Sequence, residues 1–195
     1  MTSDGSASPD ATHYSFKVSL VGAPSEFQLG DSDMECRSGS RVLRVAYRDI
    51  RQVRLVFRPV TLQNFRFVTE IMARRGPKTT IASTSWRSMV EHERLDRPYK
   101  AFIAELHRRI TASGANVIYR TGAPALLYWP GLAIFAGLMA ATTILAFRAV
   151  QIGEWRGAAF IAVMLGFFLW QAGSFFRRNR PGTYTPDKLP DQVLP

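Results

Sequence analysis

The sequence predicts an α+β protein in two parts: a mainly antiparallel, curved β-sheet or open barrel capped by one C-terminal helix, then two transmembrane α-helices. Three observations carry that expectation. Apolar and polar residues alternate with strand periodicity in short runs between Tyr14 and Thr84. One later segment, Pro98 to Ile110, switches to helical spacing. Two stretches, Thr121 to Phe147 and Gly157 to Phe176, contain no charged residue, and a bilayer core takes about 20 consecutive apolar helical residues.

Residues 1–12 are rich in Ser, Asp, Gly, Pro and Ala and read as a disordered tail. The sheet domain spans residues 13–114. Tyr14, Phe16 and Val18 alternate with polar neighbours, as do Phe27 and Leu29, and Gly30-Asp31-Ser32-Asp33 supplies a turn. Met34–Arg37 and Arg41–Tyr47 form a hairpin around Ser38-Gly39-Ser40. In the next strand Ile50, Val53, Leu55 and Phe57 are the apolar set, with Arg54, Val56 and Arg58 facing the other way. Phe65 and Phe67 open a further strand, and Thr79–Thr84 is rich in β-favouring residues. Asp96 is placed as the cap of the closing helix and Pro98 in its first turn. Tyr99, Phe102, Ile103, Leu106 and Ile110 share one face of that helix, and Gly114 lies past its end.

Residues 115–124 read as a linker to a first span at 125–147. A nine-residue extracytoplasmic loop, 148–156, leads to a second span at 157–176. Trp129, Trp155 and Trp170 stand near span ends, as interfacial aromatics do. Arg177, Arg178 and Arg180 follow the second span and Arg120 precedes the first, so the positive-inside rule puts both termini of a two-pass membrane protein in the cytoplasm. The tail, 177–195, is basic and then proline-rich, and is expected to be extended and uncovered.

Composition narrows the function. Residues 1–122 carry 19 Lys/Arg against 12 Asp/Glu. The sole cysteine, Cys36, excludes a disulfide-stapled module, and the first residues lack a signal-peptide layout. His13, His92 (between Glu91 and Glu93) and His107 form no nucleophile–base or metal-ligand constellation, and no glycine-rich phosphate loop is present. No catalytic residue, metal or cofactor is expected, and no nucleic-acid partner.

Two features point elsewhere. Arg44, Arg48, Arg51, Arg54 and Arg58, together with Arg41, fall within eighteen residues. On a domain tethered to the inner leaflet they are candidate contacts for anionic lipid headgroups, each worth about 1 kcal/mol near the surface; the alternative is a solvated strand face. Ala133, Gly137 and Ala141 in the first span, and Ala158, Ala162 and Gly166 in the second, recur every four residues. Small residues so spaced let helices approach closely, within the hairpin or in a homo-oligomer.

The strand series, the segment Val45-Ala46-Tyr47-Arg48-Asp49-Ile50-Arg51-Gln52-Val53 and the helix Pro98–Ile110 resemble bacterial membrane proteins that join a pleckstrin-homology-like domain to transmembrane helices. The resemblance implies a curved sheet of about seven strands closed by the helix and used for binding. The early loops, Gly22-Ala23-Pro24-Ser25 and Gly30-Asp31-Ser32-Asp33, are neutral or acidic, which departs from inositol-phosphate recognition. The expectation is a non-enzymatic, membrane-anchored binding module with a protein or an anionic membrane surface as partner. The alternative is an accessory or scaffold subunit of a membrane enzyme or transporter, acting through the hairpin.

Overall fold

The computed structural model describes residues 11–19, 22–59, 65–86, 92–190 and 194, so most of the expected N-terminal tail lies outside it. The chain is mixed α+β and divides into two compact units. One comprises the residues up to Thr121 together with those from Gly182 onward; the other is Gly122–Pro181.

The first unit opens with β1 (His13–Phe16), β2 (Ser25–Leu29), β3 (Asp33–Ser38) and β4 (Arg41–Ala46), an antiparallel sheet in that order. Inward Tyr14, Phe16, Phe27, Leu29, Met34 and Val45 are buried, whereas Val18 falls beyond β1 and is exposed. The β3–β4 hairpin closes on Gly39-Ser40, and Gly39 takes φ 60°, open to glycine without strain.

A 3-10 turn, Tyr47–Asp49, leads into the second sheet. It contains β5 (Ile50–Pro59), β6 (Phe65–Ala73) and β7 (Thr79–Ala82), each antiparallel to the next. An irregularity between Ile50 and Gln52 shifts the alternation, which is why Ile50 and Val53 both point inward. After the small hairpin β8 (Thr84–Trp86) and β9 (His92–Arg94) comes α1, Asp96–Ala112.

Helix α1 buries Tyr99, Phe102, Ile103, Leu106 and Ile110 against both sheets' inner residues. Each such side chain contributes roughly 1.5–3 kcal/mol. Buried hydroxyls are satisfied: Tyr14 donates to Ala82 O at 2.6 Å, and Tyr99 shares a 2.7 Å bond with Thr69. Asp96 is not the cap. Leu95 occupies that position without a side-chain bond, and Asp96 pairs instead with Arg94 at 2.6 Å.

The linker expectation is overturned. Ile118–Thr121 is a strand, β10, running parallel to β5, and Gly182–Thr183 is β11, pairing antiparallel with β10. The second sheet therefore has the order β11–β10–β5–β6–β7. Neither sheet closes into a barrel. The C-terminal segment is not uncovered either. Tyr184 and Leu189 pack on the core, Leu194 is buried within it, and the Tyr184 hydroxyl lies 2.7 Å from His107 Nε2. His107 Nδ1 donates to Ile103 O at 2.7 Å, which leaves Nε2 as the acceptor.

The second unit is a helical hairpin. Helices α2 (Ala125–Gln151) and α3 (Trp155–Arg178) have 27 and 24 residues, with Ile152–Glu154 between them. The connection is shorter than the nine residues expected, because both helices run past their uncharged cores. At 1.5 Å per residue they are about 40 and 36 Å long, more than the roughly 30 Å hydrocarbon layer. None of the apolar stretch of either helix is buried within the protein, unlike the core helix of a soluble domain. Both could therefore span a membrane, consistent with a two-pass membrane protein.

Aromatic residues close the open end of the hairpin. Phe176 lies 5.8 Å from Tyr128 and 5.4 Å from Phe135, and Tyr128 donates to Phe176 O at 3.2 Å. Below them Ala123 N donates to Asn179 O at 3.0 Å. Of the six small residues proposed for packing, Ala158 is buried. Ala133, Gly137, Ala141, Ala162 and Gly166 are exposed, and nothing approaches within 4 Å of a side chain built on Gly137 or Gly166. The helix–helix seam instead runs through larger side chains such as Tyr128 and Phe135, so the four-residue stripes face outward.

Candidate functional site

The five arginines singled out from the sequence do not form one patch. Arg44 lies on the outer face of the first sheet, paired at 2.9 Å with Glu35, which also takes Arg37 at 3.1 Å. Those two guanidiniums hold the Glu35 carboxyl below its ordinary range. Arg48 sits in the 3-10 turn and Arg51 at the irregular start of β5, both exposed. Only Arg54 and Arg58 share a face, the outer one of the second sheet.

That face is basic through register. Strand alternation sends Val53, Leu55, Phe57, Phe67, Thr69, Ile71 and Ile81 into the core. Gln52, Arg54, Val56 and Arg58 of β5 then point outward, with Arg66, Val68, Glu70 and Met72 of β6. On β10, Tyr119 turns toward His107 while Ile118 and Arg120 turn out, Arg120 beside Arg54. Successive rungs across β5 and β6 read Arg58–Arg66, Val56–Val68, Arg54–Glu70 and Gln52–Met72.

Glu70 is the sole acid on these outward positions. It accepts from Arg58 at 2.8 Å and from Lys78 at 3.0 Å, with only 9% of its side chain exposed. Arg58 reaches it across two rungs, and Val56 and Val68 on the rung between are 7% and 1% exposed. Arg66, left opposite, has a buried Nε–H with no acceptor among the described residues. Burial and the neighbouring Arg58 charge press its pKa downward. At one end of the face Met72 and Ile118 add exposed apolar surface.

Sequence reading missed Arg66, Lys78 and Arg120. The parity rule applied to β5 pairs Arg58 with Arg66 once the two strands are joined as a hairpin, so a signal existed for that pair. Arg120 lay in a segment read as linker.

The remaining polar groups lie apart from this face. His13, Glu26, Gln28, Glu35 and Arg37 line a shallow depression on the first sheet. Among the described residues no three His, Cys, Asp or Glu converge as metal ligands. Glu91 lies outside the described residues. Cys36 is half-buried, and burial pushes its thiol up, away from the reactive thiolate. Burial holds His107 down to about 4, although its bond to Ile103 O acts in the opposite sense. Comparison with protein-family models, with curated proteins and with solved structures returns no match.

Proposed function

We propose that this chain is a non-enzymatic binding module anchored in the bacterial inner membrane by its hairpin, with a cytoplasmic domain whose basic sheet face meets the anionic leaflet. One observation carries the reading. Arg54, Arg58, Arg66, Arg120 and Lys78 gather on or over one sheet face around a single carboxylate, Glu70. The hairpin leaves from that same sheet. Thr121 and Gly182 are register partners, and α2 begins four residues after Thr121. The flanks of the hairpin thus belong to one folded unit, and so to one side of any membrane the helices cross. Arg120, Arg177, Arg178 and Arg180 at those flanks favour the cytoplasmic side. Two antiparallel ladders with α1 against their core support a pleckstrin-homology-like reading of the domain, with β10 and β11 as an added edge.

The test uses the full chain with Cys36→Ser and a single fluorescent label at Thr80→Cys, outward beside Glu70. In nanodiscs with phosphatidylglycerol the label should be shielded from an aqueous quencher, and in phosphatidylcholine discs exposed. The difference should fade at 0.5 M salt, where the Debye length falls to about 4 Å, and in the Arg54→Gln/Arg120→Gln variant. Equal quenching in both discs would sink the reading.

A second reading, an accessory subunit acting through its helices, is favoured by the outward position of Ala133, Gly137, Ala141, Ala162 and Gly166. These leave close-approach surfaces open to a helix of another chain or a second copy.

A further inference from the structure

We propose that Arg66, with Arg58, forms a binding site for a phosphate-type oxyanion on the outer face of the second sheet. The inference deepens the reading of that face as anion-binding and rests on it.

The arrangement begins with register. Arg58 and Arg66 are direct cross-strand partners on one face, and like charges so placed repel. Arg58 reaches away to Glu70, where Lys78 binds the same oxygen, Oε1. One carboxylate therefore serves two cations through a single oxygen, and no ion pair joins it to Arg66 among the described residues. Arg66 keeps its charge beside that pair, half-buried, with its Nε–H shut away from any acceptor among the described residues. A guanidinium is protonated at any physiological pH, so the charge stays and calls for a counter-anion.

Geometry selects the class of anion. With its Nε–H held by no acceptor among the described residues, the Arg66 fork is free to turn outward. Its Nε–H and one Nη–H then offer the parallel pair of donors that a phosphate or carboxylate accepts bidentately. Arg58, its cross-strand partner, and Lys78, bound to the same Glu70 oxygen as Arg58, are about half exposed at 48% and 45% and supply further charge. A dianionic phosphate monoester group suits three cations shared with one carboxylate better than a monoanion does. The buried valine rung beside the pair lowers the local dielectric and strengthens each of these bonds.

The experiment titrates the full chain, in neutral detergent at constant ionic strength, with inorganic phosphate while following its thermal midpoint. Wild-type protein should gain stability at millimolar phosphate beyond that in chloride. Arg66→Gln should weaken that response about tenfold or more, while its phosphate-free midpoint stays the same or rises, because the repulsion with Arg58 is gone. If Arg66→Gln does not fold, Arg66→Lys makes the same comparison, with an expected loss of about threefold. The Thr80 reporter in nanodiscs with or without phosphatidic acid assigns the source. An Arg66-dependent response to phosphatidic acid identifies a lipid headgroup, and an Arg66-dependent response to inorganic phosphate alone identifies a free phosphate. No Arg66-dependent response in either arm overturns the site. Failure of the wider face reading looks different: the anionic-bilayer response would then survive Arg54→Gln/Arg120→Gln.

Discussion

Acidification should loosen the first unit through His107 before it affects the carboxylates. The ring is buried and neutral, bonded through Nδ1 to Ile103 O and through Nε2 to the Tyr184 hydroxyl, and stacked at 5.4 Å on Tyr119. Its folded pKa is depressed from 6.5 to about 4. Above pH 6.5 both folded and unfolded states carry a neutral ring, and no linkage exists. Between pH 6.5 and 4 the unfolded chain takes up the proton first, so stability falls as pH falls. The full loss is about 3 kcal/mol, of which about 2 kcal/mol is gone by pH 5. At about 2 kcal/mol per molar urea, that moves the unfolding midpoint down by about 1 M. Cys36, the only thiol, sits half-buried in β3 and reports unfolding of this unit without interference from the hairpin. Its reaction with dithiodipyridine, which detects thiols at acidic pH, gives the midpoint in urea. His107→Phe should abolish the slope between pH 6.5 and 5 while keeping the loss in stronger acid, where the unfolded chain protonates its carboxylates before the folded protein protonates Glu35 and Glu105, both held low by their arginine partners. A wild-type midpoint that stays level from pH 7 to 5 would refute the reasoning.

Other expectations follow from single contacts. Gly122 takes φ +72°, and a Cβ there would meet Arg180 O at 2.5 Å; Gly122→Ala should cost at least about 1–2 kcal/mol and speed amide exchange at Ala123, which bonds Asn179 O. Glu70→Gln leaves Arg58 and Lys78 without their shared carboxylate; it should lower stability by about 1–2 kcal/mol yet tighten association with anionic nanodiscs. Gly137→Leu and Gly166→Leu have open space around them, so the helical content of the hairpin should stay unchanged, and any protein that stops co-purifying is a partner held by that face. A lone cysteine at Gly153, between the helices, should react with an impermeant reagent outside intact cells while one at Lys188 does not; the reverse pattern would place the basic face outside.

Much of the first unit was legible because inward positions alternate cleanly: Phe27 and Leu29 in β2, Val53, Leu55 and Phe57 in β5, and the helical stripe from Tyr99 to Ile110. Elements whose partners are far away in sequence were not legible. Ile118-Tyr119-Arg120-Thr121 is too short to show periodicity, and it becomes a strand only because β5, some 65 residues earlier, offers a parallel edge. Tyr184 and Leu194 are isolated apolar residues among prolines, so nothing local marks them as core. The same limit governs the basic face. The run of arginines in β4 and β5 is plain, but opposite-sheet placement of Arg44 and the pairing of Arg58 with Arg66 depend on register. In the hairpin, small-residue spacing suggested packing between the two helices, yet bulky Tyr128, Phe135 and Phe176 meet there instead.

The insertion of the hairpin between two paired strands has a consequence for biosynthesis. A ribosome delivers β10 first, then the sixty residues of Gly122–Pro181, and only afterwards β11, Tyr184 and Leu194. At 5–20 residues per second that is a delay of roughly 3–12 s. Through that interval β10 is an open edge, and the core lacks Leu194. Were only one of the two helices to insert, β11 would end on the far side of the membrane from β10 and the core would stay unfinished. Completion of the second sheet thus waits on the two-helix segment that precedes its last strand.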